Sequence, residues 1–403
     1  MHVHGNGQRC SARPRIAVVT PFLDKRHGTE RCVAEQVERL AGEYGYEVHV
    51  YSERVEDVGA PIVWHWVPAI QGPHLVRYAW WFLVNHLWRW WDRYVRGLRC
   101  DLIYSPGVNC LDAHVVSVHI VFAEFYRQVS AELALRRNPV RVWPRLLHRR
   151  LYYRLIILLE RLVYGRQGAR LLAVSNKVAG DLERCYGWES RLSVIYHGVD
   201  PEQFDPARRE VLRPVARRVV DLPDTAFTLL LIGNDWKNKG LPCLLEALGR
   251  LAEPGLWLLV VGRDAPGLMR SLLARDGLEA RVRFLPPRAD VEFYYSAADC
   301  YVAPSLEDAF ALPVIEAMAC GLPVIVSSHA GASEIVTDGM DALVLKDPRD
   351  ADELVRLIRL IYEDRDLRAR LAANAPRTAR AYTWERNAAA MDAIFRELLG
   401  SQR

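Results

Sequence analysis

The stretch DCYVAPSLEDAFALPVIEAMACGLPVIV, Asp299 to Val326, places a loop and a helix start between two short apolar runs. Asp299 to Ala303 reads as the end of a buried strand, Pro304 to Leu312 as a loop, Pro313 to Cys320 as a helix, and Leu322 to Val326 as the next strand. Pro313 in the first turn and Gly321 just past the last mark the helix limits. Strand, helix and strand in that order make a parallel unit, and ligands of such sheets sit outside the carboxyl ends of the strands. A ligand at this loop faces a helix N-terminus, whose backbone N–H groups and roughly half a positive charge suit a diphosphate. Glu316, in the first turn, can accept both hydroxyls of a ribose, and Asp308, eight residues earlier, reaches a different hydroxyl. Taken singly, each acid is also what a helix N-terminus or a solvated loop ordinarily carries.

Composition bounds the rest. The chain has 403 residues, 51% of them hydrophobic, which suits two α/β domains better than one. A formal net charge of only +4 excludes a polycation of the nucleic-acid-binding kind. The eight cysteines are scattered through apolar runs without close pairs, which points to reduced thiols and against a disulfide framework or a zinc site. No metal site and no cofactor are expected. The opening stretch MHVHGNGQRCSARPR lacks the apolar core of a signal peptide, and no run reaches the roughly 18 apolar residues of a spanning helix. The expected compartment is the cytoplasm.

Aliphatic runs alternate with helical stretches along the whole chain, implying parallel sheets. Strands are expected at Ile16–Thr20, EVHVY, DLIYS, HVVSVH and RLLAVS, with helices at GTERCVAEQVERLAGEYG and from Pro144 to Tyr164. SVIYHGVDPEQF, Ser193 to Phe204, reads as the exit from a first half, and Asp205 to Pro223 as a variable crossing segment. The second half begins at FTLLLIG and continues with strands LWLLVVG, VRFL, DCYVA, LPVIV and ALVL. The expected architecture is two doubly wound Rossmann-like domains, residues 1–196 and 197–380, facing a central cleft.

Pro304 to Val326 resembles the E-x7-E element of retaining GT-B glycosyltransferases of family 4, usually written PS..EGFGLPVLEAMACG.PVI. Asp308 stands where the family has its first Glu, and Ala309 and Ala311 replace the two glycines that let backbone approach the sugar. The resemblance implies donor contacts from Ala309, Phe310, Ala311, Leu312 and Glu316, and contact of Asp308 with the sugar. GNDWKNKGLPCLLEAL, after the first strand of the second half, resembles the family's GR...KG.. turn with Lys239-Gly240 in register. Lys239 is then the cation that stabilises the departing diphosphate. Asn234 falls on the family's arginine, and Lys237 is the cation placed to compensate.

The same resemblance extends to other loops. Backbone near Phe284 and Leu285 in VRFL would hold the base, and Arg263, after LLVVG, would approach the phosphates or the base. In the first half Gly28 and Thr29, after His27, open a helix where the family often has Gly-Gly, implying donor contact there. His119, at the end of HVVSVH, matches the His or Asp the family carries beside the donor sugar, with His114 as its rival at the strand's start. Asp112 to Tyr126 and the WKNKG turn are closest to lipopolysaccharide core glucosyltransferases, whose stretch has Asp in place of His119 and a similar Ala123-Glu124 pair. AYTWERNAAAMDAIFRELL resembles the GT-B tail, residues 381–403 here, that returns to pack on the first domain.

These features imply transfer of a sugar from a nucleoside diphosphate, with retention and without metal. The nucleotide is open among UDP, GDP and ADP, because backbone readout carries no side-chain code. A nucleotide-sugar epimerase of the same fold and a non-catalytic glycan- or membrane-binding protein are the alternatives. RYAWWFLVNHLWRWWDRYVRGLR, Arg77 to Arg99, is dense in Trp, and Arg136 to Arg170 holds ten arginines against one acid, Glu160. Such a basic, aromatic stretch suits anionic lipid headgroups at the inner face of the plasma membrane, and so a lipid-linked or envelope-glycan acceptor. It equally suits a core helix with solvated arginines.

Overall fold

The computed structural model describes residues 13–25, 28–130, 141, 143–166, 168–187 and 191–401, so His27, Arg136 and Arg137 lie outside the described residues. Two compact units emerge: Met1–Ser117, Phe122–Leu171 and Met391–Arg403 form the first, Val118–Val121 and Leu172–Ala390 the second.

The first unit holds β1 (Arg15–Val19), β2 (Phe22–Leu23), α1 (Gly28–Gly42), β3 (Glu47–Ser52), β4 (Arg54–Val55), β5 (Ile62–Trp66), α2 (His74–Tyr94), β6 (Leu102–Pro106), β7 (Val115–Val118), α3 (Phe122–Val129), α4 (Trp143–Tyr164) and the start of β8 (Arg170–Ala173). The second holds α5 (Asn176–Tyr186), β9 (Leu192–Val194), α6 (Pro206–Val219), β10 (Phe227–Ile232), α7 (Leu241–Leu251), β11 (Leu256–Val261), α8 (Arg270–Arg275), β12 (Val282–Leu285), α9 (Glu292–Ala297), β13 (Cys300–Ala303), α10 (Leu312–Ala319), β14 (Val324–Ser327), β15 (Leu343–Leu345), α11 (Ala351–Glu363) and α12 (Arg365–Ala379). Helix α13, Trp384–Ser401, begins there and ends in the first unit.

The first sheet runs β5-β3-β1-β6-β7-β8-β9, with the chain leaving the first unit along β8; the second runs β12-β11-β10-β13-β14-β15. Every registered pair in both sheets is parallel. The central strands are buried on both faces, which is why they read as continuous aliphatic runs rather than alternating ones. Leu229, Leu231, Leu258 and Val260 pack with Leu244, Leu248 and Leu357 in the core of the second unit.

The expected strands and helices are present, edge strand β5 was not among those expected, and two further segments differ from their reading. Asp205 to Pro223, expected as a crossing segment, is largely helix α6. Its start was written in ordinary capping chemistry: the Asp205 carboxylate accepts from Ala207 N at 2.8 Å and Arg208 N at 3.3 Å, and Pro206 occupies the first turn. An arginine row then fastens it. Arg209 and Arg213 donate to the Ala298 carbonyl at 2.8 Å each, and Arg217 donates to Pro223 O at 2.7 Å and Ala226 O at 2.8 Å. The Trp-rich stretch, whose core and surface readings were both open, is the long helix α2 with most of its indoles exposed.

Candidate active site

Two loops of the second unit are tied together by backbone. After β10 the chain passes Gly233 (φ 146°), Asn234 and Asp235 (φ 55°) on its way to Gly240 (φ 76°), which precedes α7. After β13 it runs from Pro304 to Ala311. Leu306 N donates to Asn238 O at 2.7 Å, and Asn238 Nδ2 donates to Glu307 O at 2.8 Å. Gly240 marks the closest approach, since a Cβ there would collide with the Pro304 carbonyl. Its left-handed backbone adds a second reason for glycine.

This seam delivers Lys239 to Asp308, where ammonium and carboxylate form an ion pair. The lysine stem crosses Gly233, at which a Cβ would come within 2.8 Å of Lys239 Cε. Asp308 is held from its backbone as well: its N–H donates to His329 O at 3.2 Å and its carbonyl accepts from Gly331 N at 3.1 Å. Its Oδ1 accepts from Phe310 N at 3.3 Å. Ala309 offers its carbonyl to Ser175 Oγ at 2.7 Å, and Ala311 adopts a left-handed conformation (φ 68°, ψ 67°) directly before Leu312 opens α10.

Glu316 projects from α10 into the interior, 4% exposed, and Tyr295 donates its hydroxyl to Glu316 Oε2 at 2.7 Å. Burial, then the Glu316 charge, pushes the Tyr295 phenol far above its ordinary range, so it remains a donor at every physiological pH. No side chain caps α7 or α10. The contrast with α5 is instructive: there the Glu334 carboxylate accepts from Asn176 N at 2.8 Å and Lys177 N at 2.6 Å. One helix start is filled by the protein's own anion, while the two flanking the Lys239–Asp308 pair are not.

The loops after β10 and β11 meet strand β12 at an aromatic corner. Trp236 is 2% exposed and lies against Phe284, with ring centroids 4.9 Å apart. Trp236 N donates to Asp264 Oδ2 at 2.7 Å, and Arg263 N donates to Asn234 Oδ1 at 2.9 Å. Asn234 therefore uses its side-chain oxygen to fix the loop that carries Arg263. The Leu285 carbonyl, one of the backbone groups read as a base contact, accepts from Gly262 N at 3.1 Å. Lys237 is exposed on the same turn as Lys239.

His119, from the short Val118–Val121 piece of the second unit, stacks on His197 at 5.2 Å, and His197 meets the edge of Phe310 at 5.2 Å. The three rings join His119 to the Asp308–Leu312 loop. Burial lowers the His119 pKa from 6.5 to about 4 and drives that of His197 well down, the neighbouring His119 adding to the effect. Both are neutral at pH 7 and can polarise or orient a hydroxyl without carrying charge. The rival His114 has a structural role: its Nδ1 accepts from Ile103 N at 3.0 Å. Gly28 and Thr29 open α1 in the first unit, both exposed.

His197, Trp236, Tyr295 and Glu334 escaped the sequence reading. The only signal for His197 was its place in YHGVD; the others are set by contacts with residues 21 or more positions away. Among the described residues no three His, Cys, Asp or Glu side chains converge as metal ligands.

Residues 26–203 match the family described as Glycosyltransferase Family 4, and residues 213–378 match Glycosyl transferases group 1. A D-inositol 3-phosphate glycosyltransferase of Salinispora tropica is 32% identical over 251 residues, 58% of this chain and 52% of that protein. The chain thus spans about half the length of the curated relatives it matches. Among solved structures, WaaG, a glycosyltransferase involved in lipopolysaccharide biosynthesis, superposes with a TM-score of 0.76 at 22% identity, covering 93% of this chain and 98% of that one. HepE of Anabaena in complex with UDP-glucose gives 0.71 at 20% identity, covering 95% and 99%. These two show the fold, GT-B with two Rossmann-like halves. The chain belongs to the group 1, family 4 glycosyltransferases.

Proposed function

We propose that the protein transfers a glycosyl group from a nucleoside-diphosphate sugar to a hydroxyl of an envelope glycan or lipid-linked acceptor, with retention at the anomeric carbon and without a metal ion. The observation that carries the reading is the placement of Lys239 and Asp308 between the uncapped N-termini of α7 and α10, with Glu316 one turn into α10. That grouping offers a diphosphate one ammonium and the positive ends of two helix dipoles, and offers a ribose a carboxylate already oriented by Tyr295.

In this reading the donor half is the one beginning near residue 197, with the acceptor met by the half before it. Lys239 leaves its ion pair with Asp308 to neutralise the departing diphosphate, releasing the carboxylate to a sugar hydroxyl. The diphosphate oxygen takes the acceptor's proton as attack comes from the leaving-group face. Neutral His119 orients the sugar hydroxyl and forms no covalent bond. HepE bound to UDP-glucose makes UDP-sugars the first donors to try.

The test is a thermal-shift panel of UDP, GDP, ADP and their sugars, followed by hydrolysis assays with whichever donor binds. A ligand specific for the folded state raises the melting point in proportion to its affinity. Lys239→Ala should lower turnover by about 100-fold or more, as expected when a leaving-group charge is no longer stabilised. Glu316→Ala should weaken donor binding by about 2–3 kcal/mol. Absence of any shift across the panel, or unchanged turnover in both variants, overturns the assignment.

A further inference from the structure

Helix α2 has its polarity reversed for a helix facing water. Trp80, Leu83, Leu87, Trp90, Trp91 and Tyr94 fall within about 100° of one helical face. All six are between 39% and 64% exposed. The opposite face is buried and polar. Asn85 Nδ2 donates to Trp81 O at 3.0 Å, Arg89 pairs with Asp112 at 2.6 Å, and Asp92 accepts from Tyr51 at 2.9 Å and pairs with His65 at 2.9 Å. Arg89 and Asp92 are folded inward and four of the five indoles outward, where a monomer in water would place them the other way round.

A neighbouring helix of the same unit extends this surface. Helix α4, packed on α2, exposes Leu147, Leu151, Leu158 and Leu162, with Arg154 and Arg161 among them. Its one acid, Glu160, is fully buried and accepts from Phe122 N at 2.7 Å and Ala123 N at 3.1 Å. The outer face of α4 therefore carries arginine and no carboxylate. Arg154 and Arg161 flank a shallow hollow between α3 and α4, with Tyr126, Ile157 and Leu158 on its wall.

We propose that α2 and α4 form a docking face for an anionic lipid bilayer. The indoles and leucines of α2 enter the boundary between headgroups and acyl chains, and the arginines of α4 hold anionic headgroups. Trp and Tyr favour that boundary because each has an apolar body and a polar edge, and arginines flanking leucines match the negative surface of such a membrane. Charge complementarity selects lipid over a second copy of the chain, since a two-fold contact through this face sets arginine against arginine. Among the described residues no helix is long and apolar enough to cross a membrane, so this face lies on the bilayer. The inference builds on the proposed transfer reaction in one respect, naming a lipid surface as the place where the acceptor is met.

The full chain is floated with phosphatidylcholine vesicles and with the same vesicles containing phosphatidylglycerol, at low and high salt. We expect capture by the anionic vesicles at low salt and partial release at high salt. Leu83→Glu with Leu87→Glu should lower partitioning by about tenfold or more. Arg154→Gln and Arg161→Gln should each lower it about fivefold. Both leucines are exposed, so the melting point should hold and serve as the folding control. Protein left in the soluble fraction with anionic vesicles overturns the proposal. So does a dimer, seen by light scattering after gel filtration, that the leucine pair splits while lipid capture is absent. The donor site is scored separately: the leucine variants should keep the nucleotide-sugar thermal shift, whereas Glu316→Ala should lose that shift and still float.

Discussion

Ala311 is the residue at which this chain departs from its family and is strained for it. The family's glycine adopts a left-handed backbone freely; Ala311 holds φ 68° with a Cβ attached, at a cost of about 1 kcal/mol. Ala311→Gly should therefore raise stability by up to about 1 kcal/mol, less a few tenths for the greater freedom of glycine in the unfolded chain. Urea unfolding of the two proteins reads this directly, and an unchanged or lower midpoint refutes it. Asp308 shows another limit of residue-level reading. The motif identified it as the family's first acid, but its partner Lys239 is 69 positions away, and only the seam between two loops joins them. Asn234 was read as standing where the family places a charge; its oxygen instead fixes the backbone of Arg263.

At the scale of elements, Gly240 decides whether the β10–α7 turn can close on the loop after β13. Gly240→Ala introduces a collision with the Pro304 carbonyl and a left-handed alanine together. We expect destabilisation of about 2–4 kcal/mol, and loss of donor affinity beyond that of a surface substitution because Lys239 moves with the turn. Calorimetry and donor titration of one preparation separate the two effects; retained stability and affinity would show that the seam is looser than drawn. Helix α6 gives a milder case. Asp205→Ala removes a cap holding two N–H groups and should cost about 1 kcal/mol in chemical denaturation. The cap was legible in Asp-Pro, and Val211, Val215 and Val219 recur at helical spacing, but that row is exposed and is not what holds the helix. Its helix is held by arginines donating to carbonyls of the α9–β13 turn, contacts that no local window contains.

For the whole molecule, the histidines that folding desolvates set the response to acid. Burial lowers the His119 pKa from 6.5 to about 4, and His65, His86, His114 and His197 shift in the same direction, burial again the largest cause. As pH falls the unfolded chain takes up protons first, so stability present above pH 6.5 is lost between about 6.5 and 4. His119 alone should account for about 2–3 kcal/mol over that window. Melting curves between pH 7.5 and 5 should move down steadily, and His119→Gln should flatten part of the slope; a flat profile in the parent protein rules the mechanism out. The sequence by itself determined the two parallel α/β halves and the loops that carry the chemistry, because continuous aliphatic runs, Pro313, Gly240 and Gly321 act locally on a few neighbouring dihedrals. Only the tertiary structure decided which side of α2 faces inward. Periodicity shows that a helix has two unlike faces but not which one is buried; here Asp112, Tyr51 and His65 pair the desolvated Arg89 and Asp92, which turns the tryptophans outward.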